Sequence, residues 1–243
     1  MNVTLEIERF DSEKDKKSYV QEFEVEAQPT DRVLDALMEV KRSQDGTLAF
    51  RKSCAHGVCG SDAMLINGVE RLACKTLVQD VTGAGNTTIR IAPLRGMPVQ
   101  RDLMVDQAGF FDAYRRVKPH LETDRQPAEK EFRQSPEERA RFDDATNCIL
   151  CASCYSACPV VREKNPAFVG PAASVQAARF VLDSRDDGVA QRLDVLDTPD
   201  GVWACENHFD CTKVCPRGIK VTKHINTLKR MIKSHKEQGH QTP

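Results

Sequence analysis

Ten cysteines fall into three groups, and each group is spaced like a set of iron ligands. The first is Cys54-x4-Cys59-x2-Asp62, with Cys74 downstream. The second is Cys148-x2-Cys151-x2-Cys154-x3-Cys158-Pro159, and the third is Cys205-x5-Cys211-x3-Cys215-Pro216. Thiolate sulfur is soft and suits iron–sulfur clusters, zinc and Cu(I). Structural zinc usually takes paired C-x2-C knuckles a dozen or more residues apart, and the repeated two-residue gaps ending in Cys-Pro do not match that. No cysteine stands apart from the groups as a candidate nucleophile. The chain is therefore expected to carry several one-electron centres and to move electrons, with bond-making chemistry done elsewhere.

The spacings divide the ligands. Cys54, Cys59 and Cys74 follow the plant-type [2Fe–2S] pattern, with Asp62 where its third cysteine is expected. A carboxylate can bind iron, so Asp62 is a candidate fourth ligand; the other reading makes it a loop aspartate. Gly57 and Gly60 lie between these ligands and would let backbone N–H groups approach the cluster sulfurs. In the bacterial two-cluster run, three cysteines hold one cubane and the fourth crosses to the other cluster. That pattern assigns Cys148, Cys151, Cys154 and Cys215 to a [4Fe–4S] cluster. It leaves Cys158, Cys205 and Cys211 for a [3Fe–4S] cluster. His208 stands where a fourth cysteine would, so a histidine-ligated cubane and a histidine that only neighbours the cluster both remain open.

With 243 residues, a formal net charge of −1, 40% hydrophobic and 29% charged residues, the chain has a soluble globular composition. It lacks the basic balance expected of a nucleic-acid partner. No run approaches the length of a membrane span, and the start has no signal-peptide pattern. A cytoplasmic setting is the expectation, where thiols stay reduced and serve metals in preference to disulfides.

The elements that must position these ligands change type along the chain. Residues 1–105 read as α+β. Val3, Leu5 and Ile7 alternate as on a half-buried strand, and Phe23 and Val25 suggest a second, after a charged turn from Asp11 to Lys17. Thr30 and Asp31 would cap a helix burying Val33, Leu34, Leu37, Met38 and the stem of Lys41. Asn67-Gly68 predicts a hairpin between Met64–Ile66 and Val69–Leu72, and Thr87–Ile91 a further strand. This order matches a small ferredoxin-like β-grasp. Residues 106–144 read as a polar connector broken by Pro119, Pro127 and Pro136, with Phe110, Phe111 and Tyr114 on a short helix. Residues 145–243 read as an all-α domain of the bacterial two-cluster ferredoxin type. In it Pro171 opens a helix carrying Val175, Ala178, the stem of Arg179 and Leu182. Val221, Ile225, Leu228 and Ile232 form the apolar stripe of a terminal helix. Its other face is basic through Lys220, Lys223, Lys229, Arg230, Lys233 and Lys236, either a solvated face or an edge near anionic lipid.

The stretches Arg51-Lys-Ser-Cys54-Ala-His-Gly-Val-Cys59-Gly-Ser-Asp62 and Leu72-Ala-Cys74 resemble the iron–sulfur subunit of succinate dehydrogenase and fumarate reductase. So do Asn147-Cys148-Ile-Leu-Cys151-Ala-Ser-Cys154, Val169-Gly-Pro-Ala172, Asp183-Ser-Arg-Asp186 and Cys211-Thr-Lys-Val-Cys215-Pro. The resemblance covers nearly the whole chain. It implies the electron-transfer subunit of a succinate:quinone oxidoreductase, with no substrate chemistry in this chain itself. Single electrons would pass from the FAD of a partner flavoprotein through [2Fe–2S], [4Fe–4S] and [3Fe–4S] clusters to a quinone beside a membrane anchor. The chain would then lie peripherally on the cytoplasmic face of the inner membrane. A fumarate reductase running in reverse is the alternative, and a free ferredoxin-like carrier a further one. Asp62 in place of cysteine occurs in some members. Around Pro159, the tryptophans of ubiquinone-using relatives are replaced by Val160, Val161, Arg162 and Glu163, and Glu206 replaces the histidine after Cys205. With His208, these residues mark the expected quinone side, and the replacements point to menaquinone.

Overall fold

Alternation sets the first strand, β1 (Asn2–Arg9), whose inward residues are Val3, Leu5, Ile7 and, unexpectedly, Arg9. The computed structural model describes residues 1–83, 85–127 and 130–239. These form two compact units: Met1–Gln107 with Ile149–Ala157, and Ala108–Cys148 with Cys158–Pro243.

In the first unit, β2 (Tyr19–Glu26), β3 (Ala63–Ile66), β4 (Val69–Leu72) and β5 (Thr88–Ala92) join β1 in the order β2-β1-β5-β3-β4. Only the β1–β5 pairing is parallel; β1–β2, β3–β4 and β3–β5 are antiparallel. Asn67 (φ +50°) and Gly68 (φ +79°) make the expected two-residue turn between β3 and β4. Both central residues of such a turn need positive φ, which is why Asn-Gly is found there.

Helix α1 (Val33–Ser43) buries Val33, Leu34, Ala36, Leu37 and Val40 in the core formed with β1, β2, β3 and β5. Its start differs from the sequence expectation. Arg32 is the N-cap and no side chain caps the helix. The Asp31 carboxylate is used one turn earlier, accepting from the Gln28 N–H at 2.7 Å, and Asp35 accepts from the Arg32 N–H at 3.0 Å. Lys41 is exposed, not on the buried face, because its ammonium reaches the carbonyls of Gly46 (3.1 Å) and Leu48 (2.6 Å). Met38 is only partly buried.

Arg9 is the hub of a buried polar network. Its guanidinium donates to Asp102 at 2.9 Å, Asp45 at 2.7 Å, Gln21 at 2.6 Å and Thr47 at 3.1 Å. Asp102 also accepts from the N–H groups of Phe10 and Ala49. A charge on the inward face is tolerable only with its hydrogen bonds filled, and these bonds tie the end of β1 to the loop after α1. They also tie it to the hairpin of β6 (Val99–Arg101) and β7 (Met104–Val105). A short helix α2 (Val78–Val81) precedes β5.

The second unit is built from helices among its described residues. These are α3 (Ala108–Arg116), α4 (Pro136–Ala140), α6 (Gly170–Val181), α7 (Val189–Leu196), α8 (Asp210–Lys213) and α9 (Val221–Gly239). Helix α5 (Ser153–Ser156) belongs to the first unit. The residues proposed for one face of α6 are part of a helix buried on nearly all sides, since α3, α7 and α9 all pack on it. Its Ala172, Ala173, Ala177 and Ala178 suit that close approach. In α9, Val221, Ile225, Leu228 and Ile232 are all buried. Buried Arg192 pairs with Asp186 and donates to the carbonyls of Lys118 (3.1 Å) and His120 (2.7 Å), holding that stretch against α7.

Arg9→Leu should destabilise the protein by about 3–5 kcal/mol, the usual result of leaving a buried carboxylate without its partner. Denaturant unfolding of the variant checks this, and a loss below about 1 kcal/mol would show that the Phe10 and Ala49 N–H groups suffice for Asp102.

Candidate iron–sulfur ligand sites

The first ligand set lies in the loop between α1 and β3, with Cys74 in the turn after β4. Three backbone N–H groups converge on the Cys54 sulfur: His56 at 3.5 Å, Val58 at 3.4 Å and Cys59 at 3.2 Å. The Cys54 and Cys59 sulfurs are 3.2 Å apart, beyond disulfide length. Ala55 (φ +59°) and Gly57 (φ +80°) take left-handed backbone to turn these donors inward. At Gly57 a Cβ would fall 2.7 Å from the Lys75 side chain. The donors, those of His56 and Cys59 foremost, hold the Cys54 thiol down at about 6, so it is ready to bind as thiolate. Burial, with the Asp62 carboxylate added, pushes Cys74 up to about 12.

Asp62 is 2% exposed. Its Oδ2 accepts from the Cys74 N–H at 2.6 Å, while its buried Oδ1 has no hydrogen-bond partner among the described residues. A buried carboxylate oxygen is rarely left so, because the unmet desolvation is costly. A cation at Oδ1 would satisfy it, and the residues therefore fit a metal centre.

The second and third groups share a backbone design. Leu150 (φ +52°) and Ala152 (φ +64°) lie two and four residues after Cys148. Asn207 (φ +60°) and Phe209 (φ +66°) lie two and four residues after Cys205. A short helix follows each, α5 and α8, and then Cys-Pro. Alternating right- and left-handed residues make a nest of N–H groups, an arrangement found at iron–sulfur sites. In this repeat His208 occupies the place of Cys151. Cys151 and Cys154 belong to the first unit, and Cys148 and Cys215 to the second.

Within the second unit, Cys158, Cys205 and Cys211 line one cavity, with Pro159, Glu206 and His208 on its wall. Burial raises the Cys158 and Cys211 thiols, and each is raised further by the neighbouring cysteines. The His208 side chain is 40% exposed, and its Nε2 lies 2.9 Å from Glu206, which also pairs with Lys164.

Two contacts were not anticipated from the sequence. Thr222, 2% exposed, approaches the Cys211 sulfur at 3.6 Å. Lys229, read only as part of a basic face, donates to the Cys205 carbonyl at 2.8 Å. No local pattern signals either; both follow from where α9 lies along the cavity. Among the described residues, no three His, Cys, Asp or Glu side chains group around a single metal point. A polynuclear cluster differs from such a site because its protein ligands are divided among two or more irons.

A family model described as a 2Fe-2S iron-sulfur cluster binding domain matches residues 4–112, and one described as a 4Fe-4S dicluster domain matches residues 144–219. The chain is 40% identical over 238 residues to the succinate dehydrogenase iron-sulfur subunit of Coxiella burnetii, covering 98% of this chain and all of that one. The chain belongs to the iron–sulfur subunits of succinate dehydrogenase and fumarate reductase. The fumarate reductase iron-sulfur subunit of Mycobacterium tuberculosis is 41% identical over 235 residues, covering 96% and 94% of the two chains. Among solved structures, a chain of the Mycobacterium smegmatis Sdh1 complex in the apo form superposes with a TM-score of 0.85 at 29% identity, covering 97% of each chain. The α+β organisation of this family member is thus a ferredoxin-like [2Fe–2S] domain with a [4Fe–4S] dicluster domain. Cys54 to Cys74 fall within the first match, and Cys148 to Cys215 within the second.

In the folded, metal-free subunit at pH 7, Cys54 should be alkylated faster than Cys74, because the former lies near 6 and the latter near 12. Labelling at Cys54 should slow as the pH drops below about 6. Competitive alkylation read by mass spectrometry checks the order, with the unfolded chain as reference; equal rates at the two sites in the folded chain would contradict it.

Proposed function

We propose that the chain is the electron-transfer subunit of a succinate:quinone oxidoreductase, working between a flavoprotein that carries FAD and a membrane anchor that binds quinone. The observation that carries this reading is the gathering of Cys158, Cys205 and Cys211 on one cavity, three thiols from two distant segments with His208 turned toward Glu206. Three thiols suit a [3Fe–4S] cluster, and His208 is then its neighbour, not its ligand. Cys54, Cys59, Asp62 and Cys74 hold the [2Fe–2S] cluster, and Cys148, Cys151, Cys154 and Cys215 the [4Fe–4S] cluster. The functional domains are residues 1–105, a β-grasp, and residues 145–243, all-α, joined by the connector 106–144.

Each cluster, when bound, accepts and returns one electron at a potential set by charge, hydrogen bonds and exposure. The chain's own residues supply those settings. The N–H groups of His56, Val58 and Cys59 disperse negative charge at Cys54. The carboxylate of Asp62 adds charge at the same centre, and buried Cys74 keeps water from its inner side. At the third site, the Lys229 ammonium lies on the Cys205 carbonyl.

Among the described residues no helix is long and apolar enough to cross a membrane. We place the subunit peripherally on the cytoplasmic face, held by the anchor. The residues after Pro159 and Glu206 after Cys205 support menaquinone as the acceptor. Reverse operation as a fumarate reductase is the second reading, supported by 41% identity to the Mycobacterium tuberculosis subunit of that name.

Stepwise reduction of the purified complex, followed by EPR, tests the assignment. An oxidised-state [3Fe–4S] signal is expected; its absence, with four irons at the third centre, would favour a His208-ligated cubane. Asp62→Cys should keep the [2Fe–2S] signal and shift its potential, and loss of the signal would count against ligation there. Turnover should be faster with menaquinone than with ubiquinone analogues, and equal or better ubiquinone turnover would reject the quinone assignment.

A further inference from the structure

The segment Ile149–Ala157 carries Cys151 and Cys154, yet it packs as part of the first unit. Two features hold it there. Gly60, the residue after Cys59, lies directly against Cys151. A Cβ at Gly60 would fall 2.6 Å from the Cys151 Cβ, 3.0 Å from its Cα and 3.2 Å from the Ile149 carbonyl. Such separations are below contact distance, so no side chain fits without moving the Cys151 backbone. The second feature is a buried clamp. Glu70 on β4 is 4% exposed, and its Oε1 accepts from Arg95 at 2.7 Å and from the Ser156 hydroxyl at 2.9 Å. The Ser156 oxygen in turn accepts from the Arg95 backbone N–H at 2.9 Å. Ser156 is fully buried and ends α5, the helix that carries Cys154. Cys151 itself is packed into the same apolar core as Leu72 and Cys74.

We infer that Gly60, Glu70 and Ser156 are positioning residues that set the separation between the first and second clusters, and that they do so inside the first unit. Gly60 brings a peptide bonded to one ligand, Cys59, into contact with a ligand of the next centre, Cys151. The Glu70–Ser156–Arg95 clamp stops α5 from drifting away from β4. A buried carboxylate shared between two donors has little freedom to shift, since each bond it lost would go unreplaced. This inference rests on the ligand assignments proposed above.

A purely structural glycine and a purely structural clamp would alter stability without altering the coupling between two assembled centres. The test therefore reads that coupling. In the purified complex, a paramagnetic second cluster should speed the spin relaxation of the reduced [2Fe–2S] centre, an effect that falls steeply with distance and is measured by EPR power saturation. Gly60→Ala and Ser156→Ala should each retain iron and acid-labile sulfide and weaken this enhancement. Gly68→Ala is the control. Its φ of +79° imposes the same left-handed penalty as the +69° at Gly60, but nothing lies within 4 Å of the added Cβ. The control should match the wild type. If Gly60→Ala fails to assemble, Ser156→Ala decides, because it removes an oxygen and adds no bulk. Wild-type enhancement in an assembled Gly60→Ala, or in Ser156→Ala when Gly60→Ala does not assemble, overturns the inference. Absence of both cluster signals from the wild-type complex would instead overturn the ligand assignment beneath it.

Discussion

Thiolate sulfur carries negative charge, and at Cys54 the chain meets that charge with the backbone N–H groups of His56, Val58 and Cys59. The loops that carry the cysteines adopt left-handed backbone at Asn207, which tolerates it, and at Ala55, Leu150, Ala152 and Phe209, which do not favour it. Each such residue costs about 1–3 kcal/mol in a conformation that only surrounding structure can enforce. The loops therefore need both their inorganic cores and firm packing on either side. Ligation and folding are linked for the same reason.

The two units meet this need differently. In the first, the sheet and α1 form a core around Cys74, and the Arg9 network fixes the loop between α1 and the ligands. In the second, helices do the work. Helix α6 is enclosed by its neighbours, and α9 lays one apolar stripe on it. The same helix then presents Thr222 to Cys211 and Lys229 to the Cys205 carbonyl. The residues that shape the third site are thus set by where α9 lies, and α9 is placed by apolar burial.

The position of Ile149–Ala157 links architecture to electron transfer. A chain that passes charge between centres must hold their spacing constant, because transfer depends steeply on distance. Packing Cys151 and Cys154 into the first unit fixes these two proposed ligands against the loop that carries Cys59. Gly60 and the Glu70 clamp are the local means.

Much of this was legible in the sequence. The grouping of the cysteines into two domains, the alternation of β1, the Asn67-Gly68 turn and the apolar stripe of α9 are local patterns of spacing and period, and local patterns survive without knowledge of neighbours. Other features were not legible. Arg9 reads as a polar residue at the end of a strand, and its burial depends on Asp102 and Asp45 arriving from distant segments. Thr30 and Asp31 have the right types for a cap, but Asp31 spends its carboxylate on Gln28. Lys41 points outward because the carbonyls of Gly46 and Leu48 are within its reach. His208 stood in a ligand's place with two roles open, and its hydrogen bond to Glu206 is a matter of side-chain direction. The chain's spacing determined which atoms could bind iron. Tertiary packing decided which of them share a cavity and what surrounds them, because such choices depend on faces brought together from far apart in the chain.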